Sequence, residues 1–443
     1  MNELKIKFNP LYLLIVIFTV LLPISLFVET NYQTTLLTYT DEVLTILSAI
    51  YIVYTSFKKK IRGIDLALLI TFVIMCFLTL LGNVFSHVVT NKLPILLDIL
   101  ALSKVFIPFI AIRKIATKDT KKQMLKMLVP FSKLFLISSA LCGTISLFFN
   151  IGMSGEKRYG IPAFAFIFVI PHYLGYFAAG CLLTIISIEK NRYKIIAYEI
   201  MFALDIIYTT KGIDYIVLVI FIILLIMWRR NDKFTPLNVI VLLIAGVVTS
   251  QFQISEYITN SNSPRMILIK YGIKTANTYF PFGAGFAAYG SDMAARYYSP
   301  LYVKYGFEKV WGLSQAHGSF LNDGYINMLF GELGYFGTVL FVVCIGIITS
   351  MIYKIKTDKK VKALSMAIIL GLLISCIGSA IIRSGTGMFV LTVLAIVTGY
   401  SNHREIPACP FHKSRCLLEE YPYHSRFGLP FSALQSSFSG YWK

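Results

Sequence analysis

Residues Phe252–Asp323 read FQISEYITNSNSPRMILIKYGIKTANTYFPFGAGFAAYGSDMAARYYSPLYVKYGFEKVWGLSQAHGSFLND. They are a soluble-looking island in an otherwise membrane-like chain. Fifteen of these residues are Phe, Tyr or Trp and six are Lys or Arg, a composition suited to sugars beside phosphate. Aromatic faces stack on sugar rings, and the arginine fork binds phosphate oxygens in pairs. On both sides of the island the chain is a succession of apolar runs. Over all 443 residues the hydrophobic fraction is 56% and the mean hydropathy +0.71. A soluble core does not need that much apolar sequence, whereas each membrane-crossing helix takes about 20 apolar residues.

Twelve apolar segments follow, at 11–28, 36–57, 64–85, 93–112, 128–149, 161–188, 194–209, 213–228, 237–251, 325–350, 363–382 and 386–400. The first is too long for a signal-peptide core and lacks a small-residue cleavage site, so it reads as a retained span. Asp41 and Glu42 interrupt the second, and Glu199 and Asp205 the seventh. Basic clusters follow every even-numbered span: Lys58–Lys60, Arg113 through Lys126, Lys190–Lys194, Arg229–Lys233 and Lys354–Lys362. By the positive-inside rule both termini are cytoplasmic and 252–323 lies outside. The expected fold is all-α: a polytopic integral membrane protein with about 12 transmembrane helices over 1–400 and one large extracytoplasmic loop. Residues 401–443 lose the apolar runs, gain Pro, His, Ser and Arg, and read as a disordered cytoplasmic tail.

The net charge of +19 belongs to those cytoplasmic loops rather than to nucleic-acid binding. Cys76, Cys142, Cys181, Cys344 and Cys376 lie in apolar runs and behave as small hydrophobes. Cys409, His412 and Cys416 have only a loose resemblance to zinc spacing, without a second CxxC pair, so neither a metal nor any other cofactor is expected.

Four cations fall at outer span ends, where topology gives them no reason to be: Arg158, Lys211, Arg265 and Arg383. A charge in such a place reads as functional, against snorkelling or headgroup contact. His317, the one histidine of the loop, suits proton transfer near neutral pH. Asn322-Asp323-Gly324 reads as a turn or as part of a site. Asn327 and Glu332 fall inside the tenth span, where a buried carboxylate is costly unless paired. Gly283 and Gly285 flank Ala284 without GxGxxG or P-loop spacing. Glycines there let the backbone approach a substrate or the membrane surface, or simply make a turn after Pro281.

Together these residues resemble a known family. Arg265, then Pro281-Phe-Gly283-Ala-Gly285, then an Asn/Asp/His-rich segment, then Tyr325-Ile326 running into Gly331-Glu332-Leu333-Gly334-Tyr335-Phe336-Gly337 resembles the bacterial O-antigen polymerase and ligase superfamily. Arg158-Tyr-Gly160 with Pro171-His172-Tyr173-Leu174-Gly175 is similar to its Arg-x-Gly…Pro-Asn segment, and Thr209-Thr-Lys211-Gly212 to its Thr-x-Ser-Arg-Gly segment. The resemblance covers roughly residues 150–340. It departs from the pattern in having Lys at 211, a longer Arg158–Pro171 spacing, and Asn322-Asp323 where the ligase branch has His-Asn.

The resemblance implies polymerisation of undecaprenyl-pyrophosphate-linked oligosaccharide repeat units into O-antigen, capsule or exopolysaccharide on the outer face of a bacterial plasma membrane. It implies a glycosyltransferase without a metal, with Arg158, Lys211, Arg265 and Arg383 on the pyrophosphate. His317 or Asp323 would deprotonate or orient the acceptor hydroxyl. The implied partners are the lipid-linked oligosaccharide, membrane lipids, a chain-length regulator and a flippase. Two alternatives stay open. One is a ligase moving finished glycan to another acceptor. The other is a non-enzymatic flippase or transporter, against which the clustering of cations at one face counts.

Overall fold

The computed structural model describes residues 39–58, 61, 63–116, 118–158, 160–168, 170–230 and 263–399. The expected first and ninth spans, at 11–28 and 237–251, lie outside the described residues. So does the tail, 401–443.

The described chain is mostly helical. Helices α1 (Thr40–Lys58), α2 (Ile64–Ser86), α3 (Lys92–Ile115) and α4 (Lys118–Ser146) lead to a two-stranded hairpin, β1 (Ser154–Arg158) and β2 (Ile161–Phe164). Then come α5 (Pro171–Ile186), α6 (Arg192–Thr209), α7 (Gly212–Arg230), α8 (Pro264–Thr278), α9 (Asp292–Arg296) and α10 (Pro300–Lys304). Helices α11 (Tyr325–Gly331), α12 (Gly334–Tyr353), α13 (Lys359–Ser375) and α14 (Gly385–Gly399) complete it. Among the described residues, four helices are long and apolar enough to cross a membrane: Ile64–Ser86, Lys92–Ile115, Thr120–Ser146 and Gly334–Tyr353. Pro171–Ile186, Gly212–Trp228 and Gly385–Gly399 are apolar but shorter.

Burial separates these helices. Nearly every residue of α5 and α14 is buried, as expected of helices that are apolar all round and central. α14 packs on α3 and α5, α13 on α7, and α12 on α2. By contrast α1, α2 and α12 turn large apolar side chains outward, including Phe57 (87% exposed), Val73, Phe77 and Val339. A contiguous apolar outer wall is unfavourable in water and neutral in lipid, so it supports a multi-pass membrane protein.

The acidic interruptions are paired. Lys104 of α3 reaches Asp41 at 2.8 Å and Glu42 at 2.5 Å. Glu199 holds Lys360 at 2.7 Å, and Asp205, fully buried, accepts from Ser139 Oγ at 2.7 Å. Charges within a helix bundle persist when each finds such a partner.

Two expected spans are not single helices. The segment 161–188 opens as strand β2, and its helix starts only at Pro171, whose fixed φ suits the first helical position. Residues 325–350 divide into α11 and α12 at Glu332–Gly334. Gly334 has φ +63, and a Cβ there would lie 2.3 Å from Gly283 N. The break leaves room for the 281–285 backbone: Ala284 N–H donates to Gly331 O (2.9 Å) and Gly285 N–H to Glu332 O (3.1 Å).

The described part of the large loop, 263–323, is a folded cap rather than an open loop. Ser263 caps α8 by accepting from Met266 N, and a separate apolar core gathers Leu268, Tyr289, Tyr302, Phe307, Leu313 and Leu321. Its rings pack on one another, Tyr289 with Tyr302 at 5.6 Å and Tyr302 with Phe307 at 5.4 Å. Most cap aromatics are thus spent on the cap's own core. Trp311 (74% exposed) and Phe280 (65%) are among the few that face outward.

Candidate functional site

The cap is clasped to the helices at one end of the bundle. Asn83, at the end of α2, donates through Nδ2 to Phe286 O (2.9 Å) and accepts Phe286 N–H at Oδ1 (2.8 Å). Asp98 accepts Ala287 N–H (2.8 Å). Glu332, fully buried, accepts Tyr289 N–H (3.0 Å), and its carboxyl meets that of Asp98. This answers the cost of a carboxylate at that depth: Glu332 and Asp98 together hold the 286–290 backbone.

Gly283 and Gly285 serve the same clasp. Both have positive φ, +77 and +87. A Cβ at Gly283 would meet Gly334 N at 2.4 Å, and one at Gly285 would meet Asn83 N at 2.4 Å. The backbone approach expected of them is made to α12 and α2.

The four cations come to this same end of the bundle. Arg158 closes β1, Lys211 sits in the two-residue turn between α6 and α7, Arg265 opens α8, and Arg383 ends the 3₁₀ turn Ile381–Arg383 before α14. Arg265 binds Asp323 through Nε (2.6 Å) and Nη2, with its guanidinium 4.9 Å from the Phe320 ring centroid. Arg383 is buried and lies 3.0 Å from Asp292 Oδ1. The angle there is too poor for a hydrogen bond, so Nη2 has no acceptor. Burial works against the Arg383 charge, but Asp292 and Asp98 outweigh it and hold its pKa above the usual value. Asn322 Nδ2 donates to Asp292 in turn.

Lys211 and Arg158 differ from this pair. Both are half-buried, and among the described residues neither side chain has a hydrogen-bond acceptor or ion-pair partner. Burial pushes the Lys211 pKa down, and the nearby charge of Arg158 pushes it further; Asp214 opposes this, Arg265 adds to it more weakly, and Asp323 opposes it. Like charges held close without a counterion are unfavourable unless an anion joins them.

His317 has no contact with the four cations among the described hydrogen bonds and ion pairs. It is exposed, its backbone N–H bonds to Ser314 Oγ (3.1 Å), and no described residue hydrogen-bonds its ring. Hydrophilicity and residue type suggested it.

Another histidine lies closer. His172, in the first turn of α5, places Nδ1 2.5 Å from Asp214 Oδ1. Both side chains are buried, and His172 Nε2 and Asp214 Oδ2 have no hydrogen-bond partner. The next residue, Tyr173, faces Asp292, Arg383, Asp323 and Ser384. The sequence signals were present, a Pro-His-Tyr opening a helix and an Asp three residues after the outer Lys211, but nothing linked positions 172 and 214 before the helices packed.

Among the described residues no group of three or more His, Cys, Asp or Glu is placed to hold a metal ion. Comparison with known proteins returned no matching family model and no matching curated protein.

Proposed function

We propose that this protein polymerises lipid-pyrophosphate-linked oligosaccharide repeat units at the outer surface of a bacterial plasma membrane. The observation that carries this reading is the pair Arg158 and Lys211, two half-buried cations whose side chains have no hydrogen-bond acceptor or ion-pair contact among the described residues, beside Arg265 and Arg383. A pyrophosphate carries the charge and the several acceptor oxygens that such a set would satisfy. During transfer, charge accumulates on the leaving pyrophosphate oxygens, and prepositioned cations stabilise it electrostatically. Asp323 and Asp292 hold the two arginine forks in place while the site is free, and the anion displaces or joins them.

The reading includes the wider topology expected from sequence: twelve spans, both termini cytoplasmic, the cap outside. The ligase alternative is disfavoured by Asn322-Asp323, whose side chains bind Asp292 and Arg265 and leave no histidine at that position.

The test is reconstitution of the purified protein in vesicles with synthetic lipid-pyrophosphate-linked repeat units. The expected result is a ladder of longer glycans from the wild type, and its loss in R158A and K211A while both still fold. In cells, loss of the activity leaves glycan of one repeat unit. Long polymer persisting on the lipid carrier would identify a ligase instead. Movement of the lipid-linked sugar across the bilayer without elongation would identify a transporter.

A further inference from the structure

We infer that His172, oriented by Asp214, is the general base that takes the proton from the acceptor hydroxyl; this rests on the polymerase reading above. A carboxylate only accepts hydrogen bonds, so in a neutral imidazole the 2.5 Å contact with Asp214 Oδ1 places the proton on Nδ1 and leaves Nε2 as the acceptor. That Nε2 is buried without a donor to bind. Histidines that serve only packing have their buried nitrogens hydrogen-bonded, because leaving a buried polar atom unmet is costly. An orienting carboxylate, a fixed tautomer and an unmet second nitrogen together make the arrangement of a base awaiting its proton donor.

The surroundings set the pair beside the charged residues. Asp214 lies one turn after Lys211, and its N–H donates to Lys211 O at 3.0 Å. On the other side, Tyr173 adjoins Asp323, Asp292 and Arg383. The hydroxyl of Thr210, in the same turn as Lys211, is also buried without a partner. Room for the Asp214 carboxylate is made by Gly175: a Cβ there would lie 2.9 Å from Asp214 Cγ. The pair is therefore built from the starts of α5 and α7, next to the α6–α7 turn that carries Lys211, while Arg158, Arg265 and Arg383 come from β1, α8 and the 3₁₀ turn.

In the step, the acceptor oxygen attacks the anomeric carbon of the donor sugar and forms the new glycosidic bond. The bond from that carbon to the pyrophosphate oxygen breaks, and its electron pair leaves on the lipid pyrophosphate. The hydroxyl proton passes to His172 Nε2, and from there to the departing phosphate or to water. Asp214 stabilises the imidazolium that forms.

The experiment uses the full chain in vesicles, with two readouts: elongation of the synthetic donor, and retention of radiolabelled donor by the immobilised protein. H172Q keeps an N–H for Asp214 but cannot accept the proton. Its turnover should fall about 10²–10⁴-fold, with donor retention within about twofold of wild type. H172A leaves space that free imidazole fills, and added imidazole should raise its turnover at least about tenfold. Full turnover by folded H172Q, or no gain of H172A with imidazole, overturns the assignment and leaves the polymerase reading standing. A wild type that binds donor but never elongates it overturns the polymerase reading itself, and the base with it.

Discussion

At Lys211, pH acts in two directions. Burial and Arg158 lower its pKa, so its ammonium is lost at a lower pH than the ordinary 10.5. Loss of that charge weakens the anion site, so affinity for inorganic pyrophosphate should fall as pH rises through the lowered value. K211R, whose guanidinium does not titrate there, should hold its affinity over the same range. Stability moves the other way. Between the lowered pKa and 10.5 the unfolded chain binds more protons at this position than the folded one, so folding gains as pH rises. Titration of pyrophosphate binding alongside thermal unfolding checks both signs; parallel loss of affinity and stability would count against the assignment. At Gly285 the expectation is simpler. With φ +87 and Asn83 backbone 2.4 Å from a Cβ, G285A should cost about 1–3 kcal/mol or more of stability, read as a lower melting temperature in micelles.

At the scale of elements, the cap depends on a few hydrogen bonds to the ends of α2 and α3. Asn83 satisfies both the N–H and the carbonyl of Phe286, and α3 contributes Asp98. N83A leaves those backbone groups buried and unpaired, at about 1–3 kcal/mol. The variant should melt earlier and should be cut faster by trypsin at the exposed Arg296 and Lys304. Unchanged cutting would show that the cap holds without its clasp. The broken helix α11–α12 belongs to the same construction. Hydropathy reads 325–350 as one span because every residue but a few is apolar. Only the cap's 281–285 backbone, pressed against Glu332–Gly334, explains why the helix divides there.

For the whole molecule, the distribution of basic residues and the contacts agree on two ends. Arg113–Asp65 (2.7 Å) joins the last turn of α3 to the first of α2, and Lys359 donates to Trp228 O (2.8 Å); both lie at the end away from the cap. If the protein sits in the membrane as proposed, a cysteine at the exposed Ala316 of the cap should react with an impermeant thiol reagent in spheroplasts. One at the exposed Thr357, between α12 and α13, should not. The reverse pattern would turn the protein over and remove its site from the outer surface. Ser291, in the same loop, is fully buried and is unsuited to this test, a point the polar character of its neighbours conceals.

Composition and charge determined the class of this protein, because lipid imposes its demands one segment at a time: long apolar runs, and cations kept to one side of them. The same local logic picked out Arg158, Lys211, Arg265 and Arg383, since a charge without a topological reason stands out in an apolar chain. Tertiary structure decided what those residues meet. It paired Arg265 with Asp323 and Arg383 with Asp292, left Arg158 beside Lys211, and left His317 exposed. It also brought His172 against Asp214 across 42 positions of chain. Aromatic residues and glycines look alike in sequence whether they serve a ligand or a core. Here packing assigned most of the rings to the cap's interior and Gly283 and Gly285 to its attachment, because only the folded chain shows which surfaces are already covered.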